Sequence, residues 1–161
     1  FHGDVLRCKS LPSICTVAAG NLPYRISSAI VTRFLGQRPA FSRIVITVQV
    51  EFARRLLASP GDPKYDRLSV LAAAHCRRRS FMEAGFLPSS MFSPAPNVDS
   101  AVVVLQTYQD PLVHRGKALP FNLFDQLLRL VWDHAKGPRR DMTLDGVLAA
   151  ASGSGLITLS E

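Results

Sequence analysis

Apolar and polar residues along this chain form blocks that predict strands and helices in turn. Short apolar runs at residues 14–19 and 43–48, bounded by turn signals, are typical of buried strands. Residues 28–35 and 49–57 instead carry apolar side chains at helical spacing, with Ser27 or Ser28 able to cap the first helix and Gly36 able to end it. Two strand-then-helix units in succession indicate an α/β protein with a doubly wound sheet.

The later segments extend this pattern and then change it. Residues 68–74 are ambiguous, because alanine favours a helix, but their short length and flanking turns lead us to expect a strand. Residues 101–105 predict another buried strand, and residues 1–6 predict a strand end that runs into a loop. After residue 108, apolar side chains at helical spacing from Phe121 predict a small helical appendage with one more short helix at 144–148.

We therefore expect two domains, residues 1–108 with the sheet and residues 109–161 as a small α-helical domain that is incomplete. The glycine-serine stretch at 152–155 is typical of a linker. The sequence shows no internal repeats.

Charge is unevenly distributed over these two parts. The chain has 19 Lys and Arg against 12 Asp and Glu, for a net charge of +7. Residues 1–108 hold 13 basic and 6 acidic side chains, whereas residues 109–161 hold 6 of each. A basic first part favours nucleic acid as a partner, although a requirement for solubility would also account for it.

Other classes of protein fit the composition poorly. No apolar run reaches the roughly 18 residues that span a bilayer, so we expect a soluble protein without a membrane partner. Cys8, Cys15 and Cys76 have no paired spacing, which favours a reducing compartment and predicts neither a zinc site nor a disulfide framework. The four histidines are also scattered, and we assign no metal to this chain.

Residues 20–24 follow the first predicted strand and contain the groups needed to hold a nucleobase amine. Asn21 offers an amide that accepts and donates hydrogen bonds, Pro23 biases Leu22 toward an extended conformation, and Tyr24 adds a flat ring. The same residue types also occur in ordinary surface turns.

Two other features are candidates for contact with a nucleic acid. Phe92 stands beside prolines in a turn-rich segment, either as a core residue or as a stacking platform for a base. Arg77, Arg78 and Arg79 can neutralise phosphates, although a solvated basic cluster is an equally ordinary interpretation.

Four segments of the chain together carry a family resemblance. They are Asn21-Leu22-Pro23-Tyr24 followed by Ile26-Ser27-Ser28; Gln49-x-Glu51-Phe52-Ala53 through Arg55-Leu56; Pro60-Gly61-Asp62 with Tyr65-x-Arg67-Leu68-Ser69-Val70; and Phe92-x-Pro94-x-Pro96-x-Val98-Asp99-Ser100-Ala101-Val102-Val103. In this order and spacing, they resemble the ribosomal RNA adenine dimethyltransferases that use S-adenosylmethionine. The resemblance covers residues 1–108, with a looser match from Phe121 to Leu144, and implies the C-terminal half of a Rossmann-like methyltransferase sheet.

The resemblance also implies roles for individual residues. Residues 21–24 match the catalytic loop, in which Asn21 and the carbonyl of Leu22 hold the target adenine amine and Tyr24 lines the pocket. Phe92 matches the aromatic residue that stacks on the target base. Asp4 matches the acid that hydrogen-bonds the adenine amine of S-adenosylmethionine, and Asn21 is expected to bind the cofactor as well.

The implied reaction is methylation of adjacent adenines in a hairpin of small-subunit ribosomal RNA, with a ribosome assembly intermediate as partner. The alternative is a ribosome-assembly factor or organelle transcription factor that keeps the fold without needing the reaction. Methylation of large-subunit RNA is a more distant third.

Some parts of the family pattern are altered or precede this chain. The family's glycine-rich cofactor loop and ribose-binding acid come before the position of Asp4, so we expect these residues to belong to a longer protein and to bind S-adenosylmethionine poorly alone. The basic segment of the appendage is altered at residues 137–144, which include Arg139 and Arg140. Phe121-Asn122-Leu123-Phe124-Asp125 resembles eukaryotic members of the family more than bacterial ones, and the high basicity fits an organelle. We therefore expect a mitochondrial location, with the cytoplasm or nucleolus as the alternatives.

Overall fold

The computed structural model describes residues 3–8, 11–78, 85–109, 112–114, 117–134, 146, 147 and 149. The strands are β1 (Val17–Asn21), β2 (Arg43–Gln49), β3 (Cys76–Arg78), β4 (Phe86–Leu87), β5 (Ser100–Thr107), β6 (Val113–His114) and β7 (Lys117–Ala118). The α-helices are α1 (Ser27–Leu35), α2 (Val50–Leu56), α3 (Arg67–His75) and α4 (Phe121–His134), and 3₁₀ turns cover Tyr24–Ile26 and Ser89–Met91.

Strand β2 lies inside the main sheet, whose order is β1-β2-β5-β3, with β4 also paired to β5. It pairs in parallel with β1, where Asn21 lies opposite Thr47, and antiparallel with β5, where Gln49 lies opposite Ser100. The predicted α/β class is confirmed, although the sheet is mixed and not wholly parallel. The carboxyl ends of β1 and β2 consequently share one edge of the sheet with the start of β5.

The core forms where the helices cover the sheet. Alternate residues of β2 and β5 are buried there, together with apolar residues of α1, α2 and α3. This alternation is the expected consequence of the two-residue period of a strand. Fully buried examples are Ile44, Ile46, Val48, Val103, Leu105, Val31, Leu56 and Leu71.

The strand predicted for residues 68–74 is wrong, because this segment lies within helix α3. Asp66 Oδ1 accepts hydrogen bonds from the N–H groups of Leu68 (2.8 Å) and Ser69 (3.1 Å), and the Asp66 N–H donates to Ser69 Oγ (3.1 Å). This capping box satisfies backbone donors that a helix start otherwise leaves free. The cap and the alanines at 72–74 favour the helix over the β preference of Val70.

Strand β1 begins at Val17 and ends at Asn21, so residues 20 and 21 belong to the strand and not to the loop after it. The run predicted as buried is largely exposed: Ile14 is 88% exposed, and Ala18 is the buried residue of β1. Among the described residues, β1 pairs with β2 alone, so its other edge has no partner strand. As an edge strand, β1 has fewer neighbours that could cover its side chains.

Helices α1 and α2 confirm the two helices predicted from apolar spacing, and Gly36 follows the end of α1 as expected. The predicted serine cap is wrong, because Ile26 occupies the N-cap position without a side-chain hydrogen bond. Ser27 lies inside the helix and its Oγ donates to the Pro23 carbonyl at 3.1 Å. The serine thus ties the helix to the preceding loop.

Helix α4 confirms the helix predicted from Phe121, and it packs on α3 and the end of α1. Phe124 and Leu128 are fully buried in the same core as the sheet. A Cβ added at Gly36 would lie 2.7 Å from the Phe121 ring, so a larger residue there would require the ring to shift. Gly146 and Val147 are helical within the short helix predicted at 144–148, whereas residues 137–144 and 152–155 lie outside the described residues. The domain boundary after residue 108 stays a prediction.

An ion-pair network joins α3 to α4. The guanidinium of Arg67 bonds to Asp125, whose side chain is only 13% exposed, and Arg129 Nε lies 3.1 Å from the same carboxylate. Arg67 is largely buried, with 21% of its side chain exposed, against 56% for Arg129. The inner arginine is therefore the one shielded from solvent.

His75 is buried between α3 and α4. Its ring packs against Phe121 and Phe124, with centroid distances of 5.1 and 5.7 Å. Nδ1 lies 2.9 Å from the Leu71 carbonyl and therefore carries the proton, while Nε2 has no partner among the described residues. Burial is the main cause that lowers the pKa of His75, and the charge of Arg38 lowers it further.

No helix of the described residues has the length and apolar content needed to cross a membrane.

The buried imidazole predicts a loss of stability in acid. The unfolded histidine binds a proton near pH 6.5, whereas the folded site resists it, so the unfolded state holds more protons below that pH. The free energy of unfolding therefore keeps its full contribution from His75 above pH 6.5. It decreases by up to about 1.4 kcal/mol per pH unit as the pH falls toward the lower pKa of the folded state. Urea unfolding between pH 5 and 8 measures this slope, and His75→Phe should remove part of it. Equal slopes for the two proteins would contradict the assignment.

The two arginines on Asp125 should contribute unequally to stability. Arg67→Met removes a charged hydrogen bond in a shielded position and is expected to cost about 1–3 kcal/mol. Arg129→Met, the matched control on the same carboxylate, breaks an exposed pair and should cost less than about 0.5 kcal/mol. Urea unfolding at low and high salt checks both values. A larger loss from Arg129→Met than from Arg67→Met would refute the ranking.

Candidate active site

The sheet brings the predicted catalytic loop to the edge where β1 and β2 end and β5 begins. Asn21 is the last residue of β1, Gln49 is the last residue of β2, and Ser100 is the first residue of β5. Ligands of open α/β sheets bind beyond the carboxyl ends of strands. This edge is therefore the place at which a ligand site is expected.

The backbone of the loop is firmly held. The N–H of Leu22 donates to the Thr47 carbonyl at 3.0 Å, and the Leu22 side chain is buried. The Pro23 carbonyl accepts from the N–H of Ile26 and from Ser27 Oγ, both at 3.1 Å. Pro23 itself has φ −60° and ψ 122°, the extended backbone that leads into the 3₁₀ turn. These contacts fix the loop between β1 and α1.

Asn21 differs from its neighbours because its side chain is free. The residue is exposed, and its amide makes no hydrogen bond to any described residue. Among the described residues, Asn21, Leu22, Pro23 and Tyr24 line a cavity of about 270 Å³. The free amide is thus available to a ligand in that cavity.

Tyr24 is anchored across the sheet edge. Its hydroxyl lies 2.7 Å from Ser100 Oγ, and Ser100 is fully buried. Ser100 belongs to the motif that begins at Phe92, but no role was predicted for it from the sequence. Ser100 lies at the start of β5 beside the catalytic loop, and only the pairing of the strands reveals this position. The bond fixes the tyrosine ring as a wall of the cavity.

Phe92 follows the 3₁₀ turn Ser89–Met91 in the connection between β4 and β5, and it is half-buried. Asp99 holds this connection: Oδ1 accepts from the Ser89 N–H at 2.9 Å, and its carbonyl accepts from the Val50 N–H at 3.0 Å. Phe92 is not among the described residues that line the Asn21 cavity. Its role as a stacking platform for a target base stays a prediction.

Asp4 lies in a turn, and the strand end predicted for residues 1–6 is not seen in its described part, residues 3–6. The Asp4 carbonyl accepts from the N–H groups of Arg7 (3.0 Å) and Cys8 (3.1 Å), which is why the segment folds back and does not extend. Its carboxylate accepts from the Leu6 N–H at 2.9 Å and lies 3.4 Å from Arg7 Nε. Asp4 is absent from the described lining of the Asn21 cavity, so its cofactor role stays a prediction.

The predicted arginine cluster lies away from this edge. Arg77 and Arg78 belong to β3, where Arg77 pairs with Gln106, six positions along β5 from Ser100. At about 3.3 Å per residue, that separation is about 20 Å. The Arg77 guanidinium lies 5.7 Å from the centre of the Tyr108 ring. Arg79 and the side chain of Arg78 lie outside the described residues, and RNA binding by the three arginines stays a prediction.

A second cavity, of about 500 Å³, adjoins the catalytic loop. It shares Tyr24 with the first cavity and includes Gln49, Glu51 and Lys64 in its lining. A hydrogen bond from Lys64 is the main cause that lowers the pKa of the Glu51 carboxyl. None of these three residues was predicted from the sequence to have a role. The described residues contain no group of three or more side chains placed to hold a metal ion.

Comparisons with known proteins point to one family. A family model described as ribosomal RNA adenine dimethylase matches residues 9–134. A "Probable ribosomal RNA small subunit methyltransferase A" of Thermococcus onnurineus is 39% identical over 137 residues, which are 84% of this chain and 45% of that protein. A "Dimethyladenosine transferase" of Schizosaccharomyces pombe is 38% identical over 130 residues, which are 81% of this chain and 39% of that protein. The chain spans less than half the length of these relatives.

Two solved structures share the fold. A dimethyladenosine transferase from Plasmodium falciparum has a TM-score of 0.69 and 26% identity, and the match covers 100% of this chain and 58% of that one. The 23S rRNA methyltransferase ErmE has a TM-score of 0.61 and 25% identity, with 94% and 60% covered. The sheet is therefore a Rossmann-like methyltransferase sheet, as the resemblance implied. On the match over residues 9–134 and the identity to these relatives, the chain belongs to the ribosomal RNA adenine dimethylase family.

Proposed function

We propose that the complete protein transfers methyl groups from S-adenosylmethionine to the exocyclic amines of adjacent adenines in a hairpin of small-subunit ribosomal RNA, as a step in small-subunit biogenesis. The observation that carries this proposal is the free amide of Asn21 at the end of β1, in the cavity that it forms with Leu22, Pro23 and Tyr24. Family membership and the names of the relatives support ribosomal RNA as the substrate.

The chemistry of the acceptor explains why this loop needs oxygen atoms. The lone pair of an adenine amine is delocalised into the ring, which makes the nitrogen a poor nucleophile. Asn21 Oδ1 and the Leu22 carbonyl accept hydrogen bonds from the two amine hydrogens and favour a more tetrahedral nitrogen. The loop contributes by positioning the amine, which is a large source of rate enhancement when the geometry is fixed.

Asp4 and Asn21 are the residues of this chain that would hold S-adenosylmethionine. The Asp4 side chain is 50% exposed and makes only local contacts among the described residues, so its carboxylate can also accept from an adenine amine. When bound, S-adenosylmethionine supplies a methyl carbon that is activated by its attachment to a sulfonium. Asn21 lies at the carboxyl end of β1 with its amide free.

Asn21→Ala should abolish methyl transfer by the protein expressed from its complete coding sequence. Loss of the side-chain acceptor is expected to lower kcat by at least about a hundredfold, the effect of removing one polar contact to a reacting group. RNA affinity should change by less than about twofold, because most of it comes from contacts to phosphates. The measurement uses labelled S-adenosylmethionine, small-subunit particles and mass spectrometry of the modified nucleotides.

Asn122→Ala, an exposed asparagine of α4, is the matched control and should leave transfer unchanged. Undiminished transfer by Asn21→Ala would rule out the catalytic role. Normal ribosome assembly in cells that carry an inactive Asn21→Ala protein would identify an assembly factor that does not need the reaction. Modified adenines that map to large-subunit RNA would overturn the choice of substrate.

The Tyr24 and Ser100 hydroxyls should behave as one unit. Tyr24→Phe and Ser100→Ala each leave a partner without its hydrogen bond, and each should cost about 1–3 kcal/mol of stability. The double variant removes both polar groups, so its loss should be close to that of one single variant. Urea unfolding and methyl transfer by the four proteins form a double-mutant cycle. Fully additive losses would show that the bond does not hold the tyrosine.

A further inference from the structure

The second cavity lies directly beside the one that holds Asn21. Its volume of about 500 Å³ is within the roughly 300–1,000 Å³ of small-molecule sites. Tyr24 lines both cavities, so the two cavities meet at this residue. Phe52 and Tyr65 add aromatic surface to the second cavity, and Gln49 adds an amide. Glu51, Arg55, Lys64 and Asp66 make the rest of the lining largely polar. Aromatic side chains offer surfaces on which nucleobases stack.

The charges around this cavity compensate one another. Lys64 bonds to Glu51, and Arg55 Nε lies 3.3 Å from Asp66 Oδ2. Each of these cations therefore faces a carboxylate, which leaves little net charge to attract a phosphate. The lining consequently suits a neutral planar group with hydrogen-bonding edges, such as a nucleobase.

Gln49 contributes a free amide to this lining. It ends β2 and precedes α2, and its side chain does not cap that helix. Its amide makes no hydrogen bond to any other described residue, and the side chain is only partly exposed. A glutamine amide can bind adenine with two hydrogen bonds, one to N7 and one from the exocyclic amine.

We propose that the second cavity binds the base next to the target adenine, and that Gln49 recognises this neighbour as adenine. This assignment rests on the proposed function, whose substrate carries two adjacent adenines. With one adenine held by Asn21 and the other by Gln49, Tyr24 separates two consecutive bases of one RNA strand. Gln49 is then a specificity-determining residue for the sequence around the methylated site.

The test measures RNA binding and methyl transfer separately, with the protein from the complete coding sequence. Each of the two adjacent adenines in the hairpin RNA is replaced in turn by purine riboside, which keeps the ring system but lacks the exocyclic amine. For one of the two replacements, the Kd of the wild-type protein for the RNA should rise about fivefold, as expected for one lost hydrogen bond. Gln49→Ala should reduce that discrimination to less than about twofold.

Gln106→Ala is the matched control, because Gln106 is a partly exposed glutamine at the opposite end of the β2–β5 pairing. It should keep the full wild-type discrimination. The role of Gln49 is overturned if the wild-type protein transfers methyl groups but binds all the RNAs with equal affinity. It is also overturned if Gln49→Ala lowers the affinity for all the RNAs by the same factor. Discrimination that depends on Gln49 without any methyl transfer supports the adenine site and rejects the proposed enzymatic function. Absence of RNA binding rejects both.

Discussion

The pairing of β2 with a strand on each side is the constraint on which the site depends. Its parallel pairing with β1 sets the position of Asn21, and its antiparallel pairing with β5 sets the position of Ser100. A shift of either pairing by one residue would turn the side chains of that strand to the opposite face. The buried residues Ile44, Ile46 and Val48 oppose such a shift, because it would expose them. Core packing and site geometry are therefore fixed by the same hydrogen bonds.

The site combines a fixed frame with free polar groups. The Leu22 N–H bonds to β2 and the Tyr24 hydroxyl bonds to β5, and these bonds hold the wall of the cavity in place. The amides of Asn21 and Gln49 lie at the ends of neighbouring strands, and neither bonds to a described residue. A fixed backbone that presents free amides loses little conformational entropy when a ligand binds to those amides.

Much of this arrangement could be predicted from sequence, since the apolar spacing of α1, α2 and α4 and the β-branched run of β2 are strong local signals. The strand predicted for residues 68–74 was wrong because the hydrogen bonds of Asp66 begin a helix there. The short length of the segment and its alanines are compatible with either a strand or a helix. The exposure of β1 depends on a neighbouring strand, which no local pattern reports. The Tyr24–Ser100 bond joins residues 76 positions apart and follows only from the strand order. Gln49 belongs to the motif Gln49-x-Glu51-Phe52-Ala53, but the sequence does not show that its amide is free and lines a cavity.

The contact between Gly36 and Phe121 couples the sizes of two residues that are distant in sequence. The absent side chain at the end of α1 provides the space in which the first ring of α4 packs, so each position limits what the other can become. A family member with a larger residue at the position of Gly36 would need a smaller one at the position of Phe121. The two positions are thus expected to vary together, and a single exchange between such sequences would be tolerated less well than the paired exchange.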